Sequence, residues 1–199
     1  PRSVELGLQY HIPIHVRSTF TNEEGTIIRE ESTLEGNNCI IKGVAQDTNT
    51  ARISVLNVKN IPGIAYKVFQ SLADDNIDVD MIVQSVQTSN DNMTDIVFTI
   101  NSADLNDARK SLEKLKTEGL IPEVVYDDDT AKISVVGAGM LGTPGIAARM
   151  FGALGSVGIN ILIVSTSEIS VSCLIKREDV NKAVQAIHRE FFEKSEING

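Results

Sequence analysis

Residues 131–167 read AKISVVGAGMLGTPGIAARMFGALGSVGINILIVSTS, and residues 51–85 read ARISVLNVKNIPGIAYKVFQSLADDNIDVDMIVQS. Ile53-Ser54-Val55 matches Ile133-Ser134-Val135. After a two-residue insertion, Pro62-Gly63-Ile64-Ala65 matches Pro144-Gly145-Ile146-Ala147. Phe69, Leu72 and Ile77 then match Phe151, Leu154 and Ile159. So ordered a series makes the chain two copies of one unit.

Each copy reads strand, turn, helix, strand. Pro62 and Pro144 suit a first helical position, where the missing N–H has no partner to lose. Ile64, Val68, Phe69 and Leu72 share one helical face, as do Ile146, Met150, Phe151 and Leu154. Asn76 and Gly158 break these helices, and strands resume at residues 77–84 and 159–165. Further strands are expected at 94–100 and 168–175. Amphipathic helices follow, carried by Leu105, Ala108, Leu112 and Leu115, and by Val180, Val184, Ile187 and Phe191. The first copy closes with a strand at 122–127. The pattern is βαββαβ, an α+β ferredoxin-like sandwich with helices on one face of each sheet.

The second copy has no closing strand of its own, while a β-like run at 38–47, NCIIKGVAQD, precedes the first copy without a partner. The economical arrangement sends that run across to complete the second sheet, so that the first copy is inserted in the second. The expected domains are 51–126, and 37–50 plus 127–199 as one discontinuous unit.

Gly137-Ala138-Gly139-Met140-Leu141-Gly142 completes a G-x-G-x-x-G after a strand, the pattern of a dinucleotide-binding turn. The repeat argues against that use, because the first copy has Asn57-Val58-Lys59-Asn60-Ile61 there. Thr143-Pro144 read as N-cap and first helical residue, which starts the helix beyond the glycines. Where an acid should hold a ribose, the chain has Ile161-Leu162-Ile163. A Pro-Gly corner at a helix start instead aims free N–H groups and the positive dipole end outward, which suits the α-carboxylate of an amino acid. The plain alternative is a tight strand-to-helix corner with no ligand.

Over 199 residues, 42% are hydrophobic and 23% charged, an ordinary globular composition, and the net charge is −9. That charge disfavours a nucleic-acid partner. No apolar run approaches the roughly 20 residues of a membrane span, so no membrane partner is expected. Cys39 and Cys173 sit in apolar β-like runs and read as buried, reduced and structural, which points to the cytoplasm. His11, His15 and His188 lack Cys or acid at ligand spacing, so no metal is expected. Tyr10, His11 and His15 read as structural, and His188 as a solvated helix residue. Asp127-Asp128-Asp129 lacks the glycine and distal Glu of a calcium loop and reads as a solvated turn between units. Ser165, Thr166 and Ser167 have no neighbouring His to make a nucleophile.

The paired units with their PGIA corners, and the phrase VGINILIVSTSEISVS at 157–172, resemble the tandem ACT domains of aspartate kinase. Residues 1–26, PRSVELGLQYHIPIHVRSTFTNEEGT, are similar to the closing segment of that family's catalytic domain. The resemblance implies that 1–32 is the tail of a kinase domain with a linker. It implies a regulatory region like the family's separately made β subunit, catalytically inactive by itself. ATP and Mg would belong to the kinase domain, and no cofactor to this stretch. Its partners would be L-threonine and/or L-lysine as effector, a second copy through ACT–ACT pairing, and the kinase domain or catalytic subunit. Residues 20–36 would carry the change between them.

In that family, effector sites form where the first loop of one ACT unit meets the second strand of another. Carried over, the first copy offers Asn60, Ile61, Gly63, Ile64 and Ala65 on its loop, with Asp78, Asp80, Gln84 and Ser85 on its strand. The second offers Met140, Thr143, Gly145, Ile146 and Ala147, with Asn160 and Thr166. Asn60 stands where the family often has Asp, and MLGTPGI at 140–146 lacks the family's basic, Ser and His residues. Apolar Leu162 makes the second copy a poor home for a charged side chain. Asp80 at the corresponding position makes the first copy the better seat for lysine, whereas threonine suits either, with Gln84 contributing. A stand-alone amino-acid sensor or a ligand-free dimerisation module is the alternative. The kinase-like stretch at 1–26 weighs against the sensor, and Asp80 with Gln84 against the ligand-free module.

Overall fold

A computed structural model describes residues 2–28, 41–86, 92–137 and 143–193. The chain divides into two compact units, Pro1–Cys39 and Ile40–Gly199. The first holds α1 (Arg2–Gln9) and a hairpin of β1 (Ile14–Val16) and β2 (Thr26–Ile28), in which Ile14 faces Ile28 and Val16 faces Thr26. The His15 ring bonds the Glu24 carbonyl across this hairpin. Cys39 and Met140 lie outside the described residues.

The second unit begins with β3 (Ile41–Lys59), continues through α2 (Ile64–Asp74), β4 (Val79–Val86), β5 (Met93–Asn101) and α3 (Leu105–Thr117), and reaches β6 (Glu123–Gly137). Then come α4 (Ile146–Ser156), β7 (Ile163–Thr166), β8 (Ser170–Lys176) and α5 (Val180–His188), which runs on as a π-turn over Arg189–Glu193. Among the described residues these strands make one antiparallel sheet in the order β4-β5-β3-β6-β8-β7. A doubly wound parallel sheet is excluded, and with it the fold that uses G-x-G-x-x-G for a dinucleotide.

β3 and β6 are each shared between the copies. The first part of β3 pairs with the last part of β6, Val44 facing Val135, and its last part pairs with the start of β6, Val55 facing Val124. The register shifts on both sides of Thr50, where β3 passes from one copy to the other. Each copy therefore has the ferredoxin-like strand order 4-1-3-2, and each takes a strand from chain that leads into or out of the other. The first copy is inserted in the second.

Two cores follow from the alternation of side chains along the strands. Ile53, Val55, Ile96 and Phe98 meet Val68, Leu72, Ala108 and Leu112 in the first. Ile133, Val135, Cys173 and Ile175 meet Met150, Leu154, Ala183 and Ile187 in the second. Phe69 and Phe151 are half-buried at the borders, and Phe69 stands edge-on to Phe98 at 5.4 Å. A third, smaller cluster joins the copies on the sheet face away from the helices, where Met81 of β4 packs with Ile163 and Leu174. The two ends of the strand order, β4 and β7, approach each other there.

Three local expectations need correction. Pro62 and Pro144 are not the first helical residues, and Thr143 is not an N-cap. Gly63 and Gly145 precede the helices with φ of 89° and 98°, a left-handed conformation incompatible with a helical turn. Pro followed by such a glycine is the signature of a type II turn, and Ile64 N–H closes it onto the Ile61 carbonyl at 3.2 Å. Asp127-Asp128-Asp129 is not a turn, because β6 runs through it. Asp127 lies opposite Arg52 and accepts hydrogen bonds from Arg52 at 3.0 Å and Lys176 at 3.1 Å, so its charge is satisfied inside the strand. The strand expected at 159–165 is limited to Ile163–Thr166. The helix ends do follow the sequence: Asn76 and Gly158 take φ of 56° and 75°. Ile77 N–H then reaches the Leu72 carbonyl and Ile159 N–H the Leu154 carbonyl, both at 3.0 Å, as in a Schellman motif.

Candidate functional site

Each helix that follows a Pro-Gly corner begins without a side-chain cap. The first-turn N–H groups and the positive end of the dipole are therefore the local resource for an anion. In the first copy the corner is fastened to the start of β5. Asn60 N–H donates to the Asn92 carbonyl at 2.8 Å, and Asn92 Nδ2 returns a bond to the Asn60 carbonyl at 3.1 Å. A bulge after Val55 leaves Asn57 at φ 54°, its N–H held by Asp95 Oδ1 at 2.8 Å. Ile61 is exposed, whereas Ile64 turns into the core. Gln84 and Ser85 are exposed at this same end of the sheet, where the Ser85 carbonyl accepts from Thr94 Oγ1 at 2.6 Å.

Asp78 and Asp80 lie at the other end of β4. The four residue steps from Asp80 to Gln84 span about 13 Å of strand. A single chain thus does not bring Asp78 and Asp80 to its own Asn60–Ala65 corner. A bulge between Val79 and Ile82 turns Met81 inward, its N–H bonding Thr99 Oγ1 at 3.0 Å. The same bulge leaves Asp80 in an ion pair with Lys132 of β6, a residue of the second copy. The pair opens on a cavity of about 460 Å³ lined by Asp47, Asn49, Asp78, Asp80, Asp104 and Lys132, with Thr99 and Asn101 at its wall. Asp78 Oδ1 accepts the Val79 N–H at 3.0 Å and Asp47 Oδ1 the Asn49 N–H at 2.8 Å.

In the second copy Gly145 and Ala147 form the corner with buried Ile146 and half-buried Thr143, while Asn160 and Thr166 are exposed. Leu162 is half-buried against the cluster that joins the copies. Cys173 is buried beside the Met150 sulfur at 4.0 Å, and burial pushes its thiol up to about 12, so it is an inert core residue. Among the described residues no group of three or more His, Cys, Asp or Glu could hold a metal. Lys132, Asp47, Asn49, Asn101 and Asp104 were not legible as site residues. Their one signal was the repeat, which sets Lys132 on Arg52 and Asp47 on Asp127.

The family model described as the ACT domain matches residues 52–115 and 133–191. The chain belongs to the ACT-domain family. Its two ACT domains are those of the aspartokinase regulatory region. Aspartokinase of Corynebacterium glutamicum is 41% identical over 193 residues, covering 96% of this chain and 45% of that protein. The chain thus spans about half the length of the curated relatives it matches. The ligand-free regulatory subunit of aspartate kinase from Thermus thermophilus is 38% identical with a TM-score of 0.72, covering 76% of this chain and 99% of that one. E. coli aspartokinase III in complex with lysine and aspartate shares the fold at 21% identity and a TM-score of 0.71, covering 96% of this chain and 42% of that one. Among the described residues no helix is long and apolar enough to cross a membrane.

Proposed function

We propose that this chain is the feedback-regulatory region of a cytoplasmic aspartate kinase. Its ACT domains take up L-threonine, L-lysine or both and thereby inhibit phosphorylation of aspartate by ATP, with Mg, in the kinase domain or catalytic subunit. The observation that carries the reading is the separation within one chain of the Pro-Gly corner from the acidic end of β4. The corner supplies N–H groups for an α-carboxylate and Asp80 a partner for an ammonium, but they lie at opposite ends of the sheet. Two copies of the chain, with the corner of one ACT domain beside the second strand of another, complete the set.

In this reading Asn60, Ile61, Gly63, Ile64 and Ala65 seat the carboxylate end. Asp78 and Asp80 suit a lysine ammonium and Gln84 and Ser85 a threonine hydroxyl, the two pairs lying too far apart on β4 to share one ligand. The second ACT domain offers Thr143, Gly145, Ile146, Ala147, Asn160 and Thr166 in the same way. Inhibition then requires that the effector bind the inactive arrangement more tightly than the active one. A coupling of about 1–3 kcal/mol is usual for such linkage.

Calorimetric titration with L-threonine, with L-lysine, and with each in the presence of the other tests this, alongside sedimentation with and without ligand. Saturable binding that Gln84→Ala or Asp80→Ala weakens, together with ligand-stabilised self-association, is the expected result. No heat and no change in association with either amino acid would leave a ligand-free dimerisation module.

A further inference from the structure

The repeat sets Lys132 on Arg52 and Asp47 on Asp127, yet the two basic residues are used differently. Arg52 bonds its directly opposite strand neighbour, Asp127, at 3.0 Å. Lys132 also has an acid directly opposite, Asp47, but its ammonium goes to Asp80 on β4 instead. Asp80 and Asp47 both line the 460 Å³ cavity, so Lys132 stands between two carboxylates of one opening. The corresponding surroundings of Arg52 have no such choice. Leu162 occupies the place of Asp80 there, and Lys176, which also bonds Asp127, the place of Asn101. Directly opposite residues of an antiparallel pair have Cβ atoms about 5 Å apart. A rotamer change therefore suffices to carry a lysine ammonium from Asp80 to Asp47.

We propose that Lys132 is a tethered competitor for Asp80, with Asp47 as its second seat. The proposal rests on the effector reading above and adds what sets the charge preference of its acidic end. A ligand ammonium reaching Asp80 has to displace one already there, whereas an uncharged side chain does not. The chain thereby discriminates against L-lysine relative to L-threonine by means of its own lysine. Displacement also has a structural consequence. Asp80 belongs to the first ACT domain and Lys132 to the second, and their pair lies beside the Met81–Ile163–Leu174 contact. A cationic effector that sends Lys132 to Asp47 removes the salt bridge beside that contact, and a neutral effector leaves it in place. Lys132 is three-quarters buried and Asp80 half exposed, so the competition is modest in size.

The test is calorimetry of the 199-residue chain with L-lysine and L-threonine. Lys132→Met keeps the aliphatic stem and removes the charge. It is expected to tighten lysine threefold or more and to leave threonine within twofold. Asp47→Asn removes the second seat and is expected to weaken lysine threefold or more in the parent chain, but to have less effect in the Lys132→Met background. Lysine binding that Lys132→Met leaves unchanged or weakens overturns the proposal, as does an Asp47→Asn effect of equal size in both backgrounds. Absence of lysine binding in all variants overturns it too. If threonine still binds in that case and Gln84→Ala weakens it, the effector reading survives; if neither amino acid binds, both fall.

Discussion

Gly63 and Gly145 carry a cost that can be isolated from packing. At each, a Cβ would meet nothing within 4 Å, yet φ is 89° and 98°. Gly63→Ala should therefore destabilise through the backbone alone, by about 1–2 kcal/mol. In a chain of this size that is a fall of roughly 2–8 °C in Tm, and a thermal melt with no shift would mean that the corner is not left-handed. Asp127 offers a pH-dependent counterpart. Burial pushes its carboxyl upward, but the hydrogen bonds from Lys176 and the Asp129 N–H, with the Lys176 and Arg52 charges, outweigh burial and hold it below 3.8. Because the folded value is the lower one, its stabilisation is complete above the unfolded value and is lost as pH falls through the folded one. Asp127→Asn should cost about 1 kcal/mol near neutrality, and denaturation of the two proteins should converge below pH 3.8.

At the scale of elements, the repeat and its periodicities were enough to read α2 to α5, most of the strands of the second unit and their buried faces, because those follow from alternation and from 3.6-residue spacing. α1, β1 and β2 lie outside the repeat and were not read. What escaped was decided by tertiary partners. Pro-Gly satisfies both a helix-start rule and a type II turn, and only the observed φ separates them. Three successive Asp look like a loop until Arg52 and Lys176 are found beside the first. The candidate site, which rests on proposal, was legible in the same uneven way. Asn60, Gly63 and Asp80 came from motif positions, but Lys132 was one charged residue in a strand and carried no motif. The π-turn at Arg189–Glu193 gives a further expectation. Arg149 Nε bonds Glu190 Oε1 at 3.0 Å, its Nη2 bonds the Glu190 carbonyl at 2.8 Å, and its guanidinium lies 4.5 Å from the centre of the Phe191 ring. Arg149→Ala should release this last turn, costing about 1–2 kcal/mol, with hydrogen exchange accelerating at 187–193 and not in the first ACT domain.

For the molecule as a whole, the interlock makes the two ACT domains one cooperative structure. Met81 is 2% exposed and reaches from the first domain to Ile163 and Leu174 of the second. Met81→Ala should cost about 2–5 kcal/mol in a single unfolding transition seen alike by probes in either domain. Two separated transitions would show that the shared strands do not couple the halves.

The shared strands also set a timetable for synthesis. Val44 faces Val135, so the start of β3 leaves the ribosome 91 residues ahead of the strand it must join. At about 5–20 residues per second that is a wait of roughly 5–18 s. During that interval the first ACT domain can largely assemble, while residues 41–47 remain an open edge. A pause introduced between codons 117 and 131 would lengthen the exposure, and the nascent chain would depend more on a chaperone even though the finished protein is unchanged.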